Sequence, residues 1–361
     1  MIDRRPTGPT PRTLGRSLMS NAFFDYHLPT ELIAQEPCPT RDQSRLLVAR
    51  RKENTISHCL FSDLPQLLNP GDLLVLNDTR VLSARLIGRR MRTGGKWEGL
   101  FLRELTAGKW EVMCQTRGRL AAGETIEVEP GPLLIDLIRK TDEGHWVIAP
   151  QKPGSAYELL QAHGRVPLPP YIRKGLARPE DQERYQTVFA SRMGAIAAPT
   201  AGLHFTEALF TALRERGIDR TFVTLHVGQG TFQPIQTSDY RDHQMHREWG
   251  QLSEEAANRV VSARKEGKRV VAVGTTSVRV LESAAAAGQI RAWSGETDLF
   301  IYPPWVFTAV DALVTNFHLP RSSLLLLVNA FAGPDLTKRA YVTAIARRYR
   351  FYSYGDAMLI L

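Results

Sequence analysis

The strongest constraint on the fold is a change of texture along the chain. From about Asp72 to Ile148 it breaks into strand-length runs: "DLLVLND", "VLSARLIGRR", "WEGLFLREL", "KWEVMCQT", "ETIEVEP" and "HWVIAP". Turn-forming stretches such as "RTGGK", "TAGK" and "TDEG" part these runs, at intervals that suit a small barrel or sandwich. Beyond about Ser191 apolar strands alternate with amphipathic helices instead. In "TEALFTALRERG" Thr206 is a natural N-cap, Leu209, Phe210 and Leu213 form the apolar stripe, and Gly217 is a natural stop. "SEEAANRVVSARKEG" repeats the design with Ser253 as cap, and "KRVVAVGTT" runs directly into "SVRVLESAAAAG". "DALVTNF" precedes a further helix, "SSLLLLVNAFAG". Alternation of this kind predicts a largely parallel or mixed sheet.

The expected fold is therefore α/β. A main mixed-sheet domain over 21–70 and 150–361 carries the active site, and a small all-β barrel-like domain is inserted at 71–149. Residues 1–20 hold Arg4, Arg5, Arg12 and Arg16 against Asp3, with three prolines and no apolar periodicity, and are expected to be a disordered basic arm. In a sheet of this type ligands gather at the carboxyl ends of the strands, so the chemistry is expected in the loops that follow them.

Composition narrows the class of function. The longest dense apolar run, Leu324–Val328, is too short for a bilayer, and no secretory signal is recognised near the amino terminus. Cys38, Cys59 and Cys114 are far apart and form no CxxC pair, which suits reduced thiols and predicts a cytoplasmic protein. A formal net charge of +9 makes a polyanionic partner plausible without requiring one.

Nine histidines occur, and five of them, His204, His226, His243, His246 and His318, lie in the carboxyl-terminal half near strand ends or in loops. "DHQMHRE", residues 242–248, places His243, His246 and Glu248 close together. On a helix, at about 100° per residue, Glu248 would point about 140° away from His243. On a strand His246 and Glu248 share a face while His243 points away. The spacing also differs from HExxH. A metal would need an irregular loop and a distant ligand, so proton transfer, substrate contact and plain structural hydrogen bonding stay in contention.

"HVGQGTF" sets Gly228 and Gly230 after a strand, where a backbone can approach a ligand. No helix follows, so it is not a dinucleotide fingerprint. In "VGTTSVRVLES", Thr275, Thr276 and Ser277 offer hydroxyls and amides at a helix start suited to an anion. Arg279 lies in the first turn, where the helix dipole disfavours a cation unless an anion sits nearby. "NDTR", residues 77–80, reads as a turn, and "PLPPYIRK" joins a stiff proline segment to Tyr171, Arg173 and Lys174, an aromatic beside cations that could meet a base and a phosphate. "FYSYGDAM" reads as a final strand and turn.

Taken together these blocks closely resemble the S-adenosylmethionine:tRNA ribosyltransferase-isomerases of queuosine biosynthesis. The likeness opens on "FDYHLPTELIAQEPCPTRDQSRLLV" and continues through "GDLLVLNDTRVLSARL", "VPLPPYIRK", "GAIAAPTAGLHFT", "LHVGQGTFQPI", "DHQMHRE" and "VAVGTTSVRVLES" to "DALVTNFHLPRSSLLLLVNAFAG" and "YRFYSYGDAMLI". It implies transfer and isomerisation of the ribosyl part of S-adenosylmethionine onto 7-aminomethyl-7-deazaguanine at the tRNA wobble position, giving epoxyqueuosine, adenine and methionine. It implies no prosthetic group and no metal. S-adenosylmethionine is a substrate, tRNA bearing the deazaguanine is the partner, no membrane is involved, and a monomer is expected. On this reading His204, His243, His246 and Glu248 are the candidates for proton transfer. Asn77, Asp78, Arg80, Tyr171, Arg173, Thr200, Gly202, His226, Gly228, Gly230, Thr275, Thr276, Ser277, Arg279, Asn316 and His318 are the candidates for substrate binding. Two departures are visible: Pro304 in "FIYPPW" where relatives usually carry glycine, and Gln115 and Arg117 where lysine is commoner. A metal-dependent hydrolase and a noncatalytic RNA-binding module are the rival classes.

Overall fold

The computed structural model describes residues 25–106, 108–131, 133–228, 235–237 and 239–361. The amino-terminal arm 1–20 and Gly230 lie outside the described residues. Leu73–Asn77 is buried at every position, a pattern that requires cover on both faces of a sheet. The strands are β1 (Arg45–Arg50), β2 (Thr55–Leu60), β3 (Leu73–Asn77), β4 (Thr79–Val81), β5 (Arg85–Arg90), β6 (Lys96–Thr106), β7 (Lys109–Thr116) and β8 (Thr125–Glu129). They continue with β9 (Leu133–Lys140), β10 (Trp146–Pro150), β11 (Arg192–Ala195), β12 (Asp219–Leu225), β13 (Glu248–Leu252), β14 (Val270–Val273), β15 (Trp293–Thr297), β16 (Ala312–Asn316) and β17 (Ala357–Ile360).

Nine of these strands form one mixed sheet in the order β15-β13-β12-β3-β14-β16-β17-β1-β2. Its middle, β12-β3-β14-β16, is parallel, while β17 runs antiparallel to β16 and β1 runs parallel to β17. Period-2 alternation divides each central strand between two cores. Leu73 and Val75 face one with Val270 and Ala272, and Leu74 and Leu76 face the other with Val271 and Val273. The first core is closed by helices Glu254–Lys265, Thr275–Ala285, Ser323–Ala332 and Pro334–Ala346, and the second by Glu207–Glu215. The helix starts read in the sequence are present: Thr206 accepts from Leu209 N at 3.1 Å and Ser253 from Ala256 N at 3.2 Å. Among the described residues no helix is long and apolar enough to cross a membrane.

The second unit is a closed antiparallel barrel, β10-β7-β6-β5-β8-β9, filled by Trp97, Phe101, Trp110, Ile126, Val128 and their neighbours. It runs from Arg85 to Pro150. The β-rich texture begins earlier, at Asp72, but its first strand, β3, lies in the centre of the large sheet, and β4 pairs with β11 in a separate two-stranded ribbon. Texture alone misses this division because a fully buried strand of a parallel sheet and a strand of a small barrel are both short apolar runs.

Candidate functional site

Because β3, β12, β14 and β16 are parallel, their carboxyl ends lie along one edge of the sheet; β17 and β1, of opposite direction, begin there. Residues from distant parts of the chain therefore converge on this edge, around a cleft. Its walls include Thr200, Gly274–Thr276, Thr315–His318, Tyr171, Tyr352 and Ser353.

Helix Thr275–Ala285 opens directly on this cleft, after a Gly274 held at φ +87°. That left-handed backbone turns the chain from strand into helix within a single residue, and a side chain there would be strained. Thr276 Oγ1 is buried and has no hydrogen-bond partner among the described residues. Ser277 differs, since its hydroxyl donates back to Val273 O at 2.8 Å. At the neighbouring strand end, Asn316 Nδ2 donates to Tyr352 O at 3.1 Å and reaches His204 Nε2 at 3.3 Å. The carbonyl partner fixes which end of the amide is nitrogen, and Asn316 Oδ1 is left buried without a partner among the described residues.

His204 lies one layer behind the cleft, stacked on Phe61 at 4.9 Å between centroids. Burial, helped by the charges of Arg350 and Arg41, pushes its pKa down to about 3. The neutral ring accepts from Asn316 at Nε2, so Nδ1 carries the proton and donates to Ser44 Oγ at 2.7 Å. Burial also pushes His318 down to about 3; its Nε2 meets the Thr315 hydroxyl at 2.7 Å. Tyr171 is stacked on Tyr352 at 4.5 Å and shares a 2.7 Å hydrogen bond with Ser353. Burial raises its pKa well above the ordinary phenol value, so it stays protonated.

The two sealed histidines give a pH dependence with a definite sign. Each is neutral when folded and takes up a proton on unfolding below about 6.5. The stability they carry is complete above that value and is lost as pH falls towards about 3, at up to about 1.4 kcal/mol per pH unit for each ring. Urea unfolding of wild type and His204→Gln between about pH 7 and pH 4.5 checks this. The wild type should show the steeper loss, and parallel profiles would contradict the assignment.

Glu248 and Arg279 meet in the core, only 3% and 2% exposed. Arg279 Nη1 donates to the Glu248 carboxylate, and its other nitrogens donate to Thr297 O and Leu299 O, each at 3.2 Å. The remaining Glu248 oxygen accepts from Gly228 N at 2.7 Å. The helix starts at Thr275, so Arg279 lies at its fifth position, past the first turn; the anion that offsets it is a carboxylate of the chain itself, and Arg279 does not line the cleft.

Of the residues nominated from sequence, Tyr171, Thr200, Thr275, Thr276, Asn316 and His318 share the cleft wall. Ser277, His204, Gly228, Glu248 and Arg279 support that wall or the chain beside it. Others are engaged elsewhere. Asn77 ties β3 to β12 through Leu225 N and O, and Asp78 accepts from Thr224 and Ser191 hydroxyls. Arg173 pairs with Glu36 and Asp181, and Arg80 is exposed. A Cβ at Gly202 would come within 2.9 Å of Phe189 and Thr187, so this glycine serves close packing. His226 binds Thr79 Oγ1 at 2.8 Å and stacks on Trp249, and burial lowers its pKa.

His243 is half-buried, edge-on to Phe300, and its pKa is lowered by burial and by His246, which is exposed. Residues 243–247 form no regular element, and Glu248 turns inward as β13 begins. Among the described residues the one group spaced to hold a metal is Glu111, Glu143 and His145 on the barrel. There Arg103 and His145 already hold the Glu111 carboxylate.

Sequence reasoning missed Thr315, Ser322, Tyr352 and Ser353 in the cleft wall. The last two follow from the reversed direction of β17, which brings the turn before it to the carboxyl edge.

A mixed α/β sheet with a barrel inserted in its chain and a cleft at its carboxyl edge defines an α/β protein of the doubly covered type. Residues 21–360 match the family described as queuosine biosynthesis protein, and the chain belongs to that family. A protein of Symbiobacterium thermophilum named S-adenosylmethionine:tRNA ribosyltransferase-isomerase is 52% identical over 339 residues, covering 94% of this chain and 98% of the relative. One of the same name from Anaeromyxobacter sp. is 51% identical over 341 residues, covering 93% and 97%. The crystal structure of an S-adenosylmethionine tRNA ribosyltransferase from Thermotoga maritima is similar with a TM-score of 0.55 and 37% identity, over 94% of this chain and all of that one.

Proposed function

We propose that the chain transfers the ribosyl moiety of S-adenosylmethionine onto 7-aminomethyl-7-deazaguanine at the tRNA wobble position and isomerises it, giving epoxyqueuosine and releasing adenine and methionine. It is a tRNA-modifying transferase-isomerase of queuosine biosynthesis. The observation that carries the finer reading is the pair of buried polar atoms without a hydrogen-bond partner among the described residues, Thr276 Oγ1 and Asn316 Oδ1, at or just past the ends of adjacent parallel strands in one cleft. Neighbouring strands lie about 4.8 Å apart. A helix start with a free hydroxyl suits the methionine carboxylate, and an amide oxygen beside it suits the ammonium on the same carbon.

The sulfonium acidifies the C5′ hydrogens of the ribosyl group, so abstraction of one of them gives a carbon nucleophile, and adenine leaves once a proton or hydrogen bond relieves its developing charge. His204 and Glu248 act by position, the first through Asn316 and the second through Arg279 and Gly228. Proton transfer falls to His243 and His246, whose rings keep access to solvent.

Incubation with S-adenosylmethionine and tRNA carrying the deazaguanine tests the reading, with adenine and the mass of the modified nucleoside measured. Adenine release that requires this tRNA, with the matching mass gain, is the expected result. Both substrates bound without product would overturn it, and unimpaired turnover by His243→Ala would remove that ring from proton transfer.

A further inference from the structure

Three separate segments each give successive residues to two different cavities. Tyr171, Ala198 and Val227 line the cleft described above. Their immediate neighbours Pro170, Ala197 and Gly228 line a second cavity, between the barrel and the main sheet. The partition between the two spaces is therefore a single main-chain layer. It is held in place from within: Ile196 N donates to Val227 O at 3.1 Å, and Gly228 N donates to the buried Glu248 carboxylate.

The far wall of the second cavity is the outer face of the barrel. Trp97, Phe101, Trp110 and Val112 turn into the barrel core, so the alternate residues of β6 and β7 face outward. There Leu100 stands opposite Met113, and Glu98 opposite Gln115. Glu98 is oriented by Arg85, whose Nε and Nη2 donate to one carboxylate oxygen at 3.2 and 2.9 Å.

We propose that this second cavity receives the acceptor nucleobase, turned out of the RNA stack, while the first cleft holds S-adenosylmethionine; the inference rests on the function proposed above. A planar heteroaromatic ring suits a space walled by Pro170, Leu100 and Met113 on its apolar sides. A guanine-type base presents two adjacent N–H donors and a carbonyl acceptor along one edge. The second oxygen of Glu98 accepts from the donors, and the Gln115 amide supplies a donor for the carbonyl. Gly228 and Ala197 put no more than a hydrogen and a methyl on the partition, so the aminomethyl arm has its shortest path to the ribosyl carbon there. The turn after Gln115 carries exposed Arg117 and Arg119, and its shape is held by buried Arg90, which donates to both their carbonyls at 3.1 and 2.8 Å while paired with Glu124. Those two guanidinium groups suit the phosphates flanking an everted nucleotide.

The test uses a hairpin bearing the deazaguanine and a matched hairpin bearing guanine. Wild-type adenine release with the first hairpin addresses the function itself. Glu98→Gln, Gln115→Ala and the space-filling Met113→Trp are then compared with wild type. Each is expected to raise the KM for the modified hairpin by about tenfold or more, while S-adenosylmethionine affinity by calorimetry and the Tm stay unchanged. An active wild type with all three variants keeping its hairpin KM overturns the cavity assignment and leaves the function standing. A parallel loss of S-adenosylmethionine affinity overturns it as well. Should the wild type release no adenine, the function fails. The cavity is then judged by fluorescence anisotropy: variants that weaken the modified hairpin alone support it, and equal effects on both hairpins reject it.

Discussion

Glu248→Ala is expected to lower the free energy of unfolding by about 3–5 kcal/mol. The substitution leaves the Arg279 guanidinium, 2% exposed, without its carboxylate. Arginine cannot shed its proton to escape, so a full charge stays in a water-poor interior, held among the described residues by two carbonyl acceptors, Thr297 O and Leu299 O. Gly228 N loses its acceptor at the same time, which frees the chain dividing the two cavities. Glu248→Gln keeps shape and acceptor but not charge, so a smaller loss is expected. The double variant Glu248→Leu with Arg279→Met should recover much of the stability, because the damage comes from the unpaired partner rather than from absence of the pair. Guanidinium chloride unfolding of the wild type and the three variants checks this ranking. A loss below about 1 kcal/mol for Glu248→Ala would show that the buried charge has found relief elsewhere.

Thr276→Val is expected to separate binding from stability. The Thr276 hydroxyl is buried with no partner among the described residues, so replacing it with an isosteric methyl should leave stability unchanged or raise it by up to about 1 kcal/mol. The same change should raise the KM for S-adenosylmethionine by about tenfold or more, since the carboxylate then meets a methyl where a hydroxyl stood. Ser277→Ala is the internal control. Its hydroxyl is satisfied by Val273 O, so its loss should lower stability modestly and leave the KM alone. Thermal unfolding and initial rates at varied S-adenosylmethionine decide the matter, and a Thr276→Val enzyme with wild-type KM would remove the hydroxyl from the site.

Much of this architecture is legible in the sequence. Helix starts at Thr206 and Ser253, the helix after Gly274, and the barrel strands all follow from local chemistry: side-chain caps, alternation of period two, and glycine turns. "VGTTSVR" carries half of its own explanation. Its spacing shows that a cation near a helix start calls for an anion, and it cannot show that the helix begins earlier, at Thr275, or that the anion is Glu248, 31 residues away. His204, His226 and His318 looked alike in sequence. Packing separates them: His204 and His318 are sealed and neutral, and His226 is held between Thr79 and Trp249.

What the sequence determined by itself is thus the set of elements and the family resemblance, because both rest on short-range patterns and on ordered blocks along one chain. Only the tertiary structure decided which strand ends adjoin. The antiparallel pairing of β17 with β16 carries Tyr352 and Ser353 to the cleft, and the central place of β3 withdraws it from the barrel. Strand order is a property of long-range pairing, whose energy depends on burial across the whole sheet and not on any local run of residues.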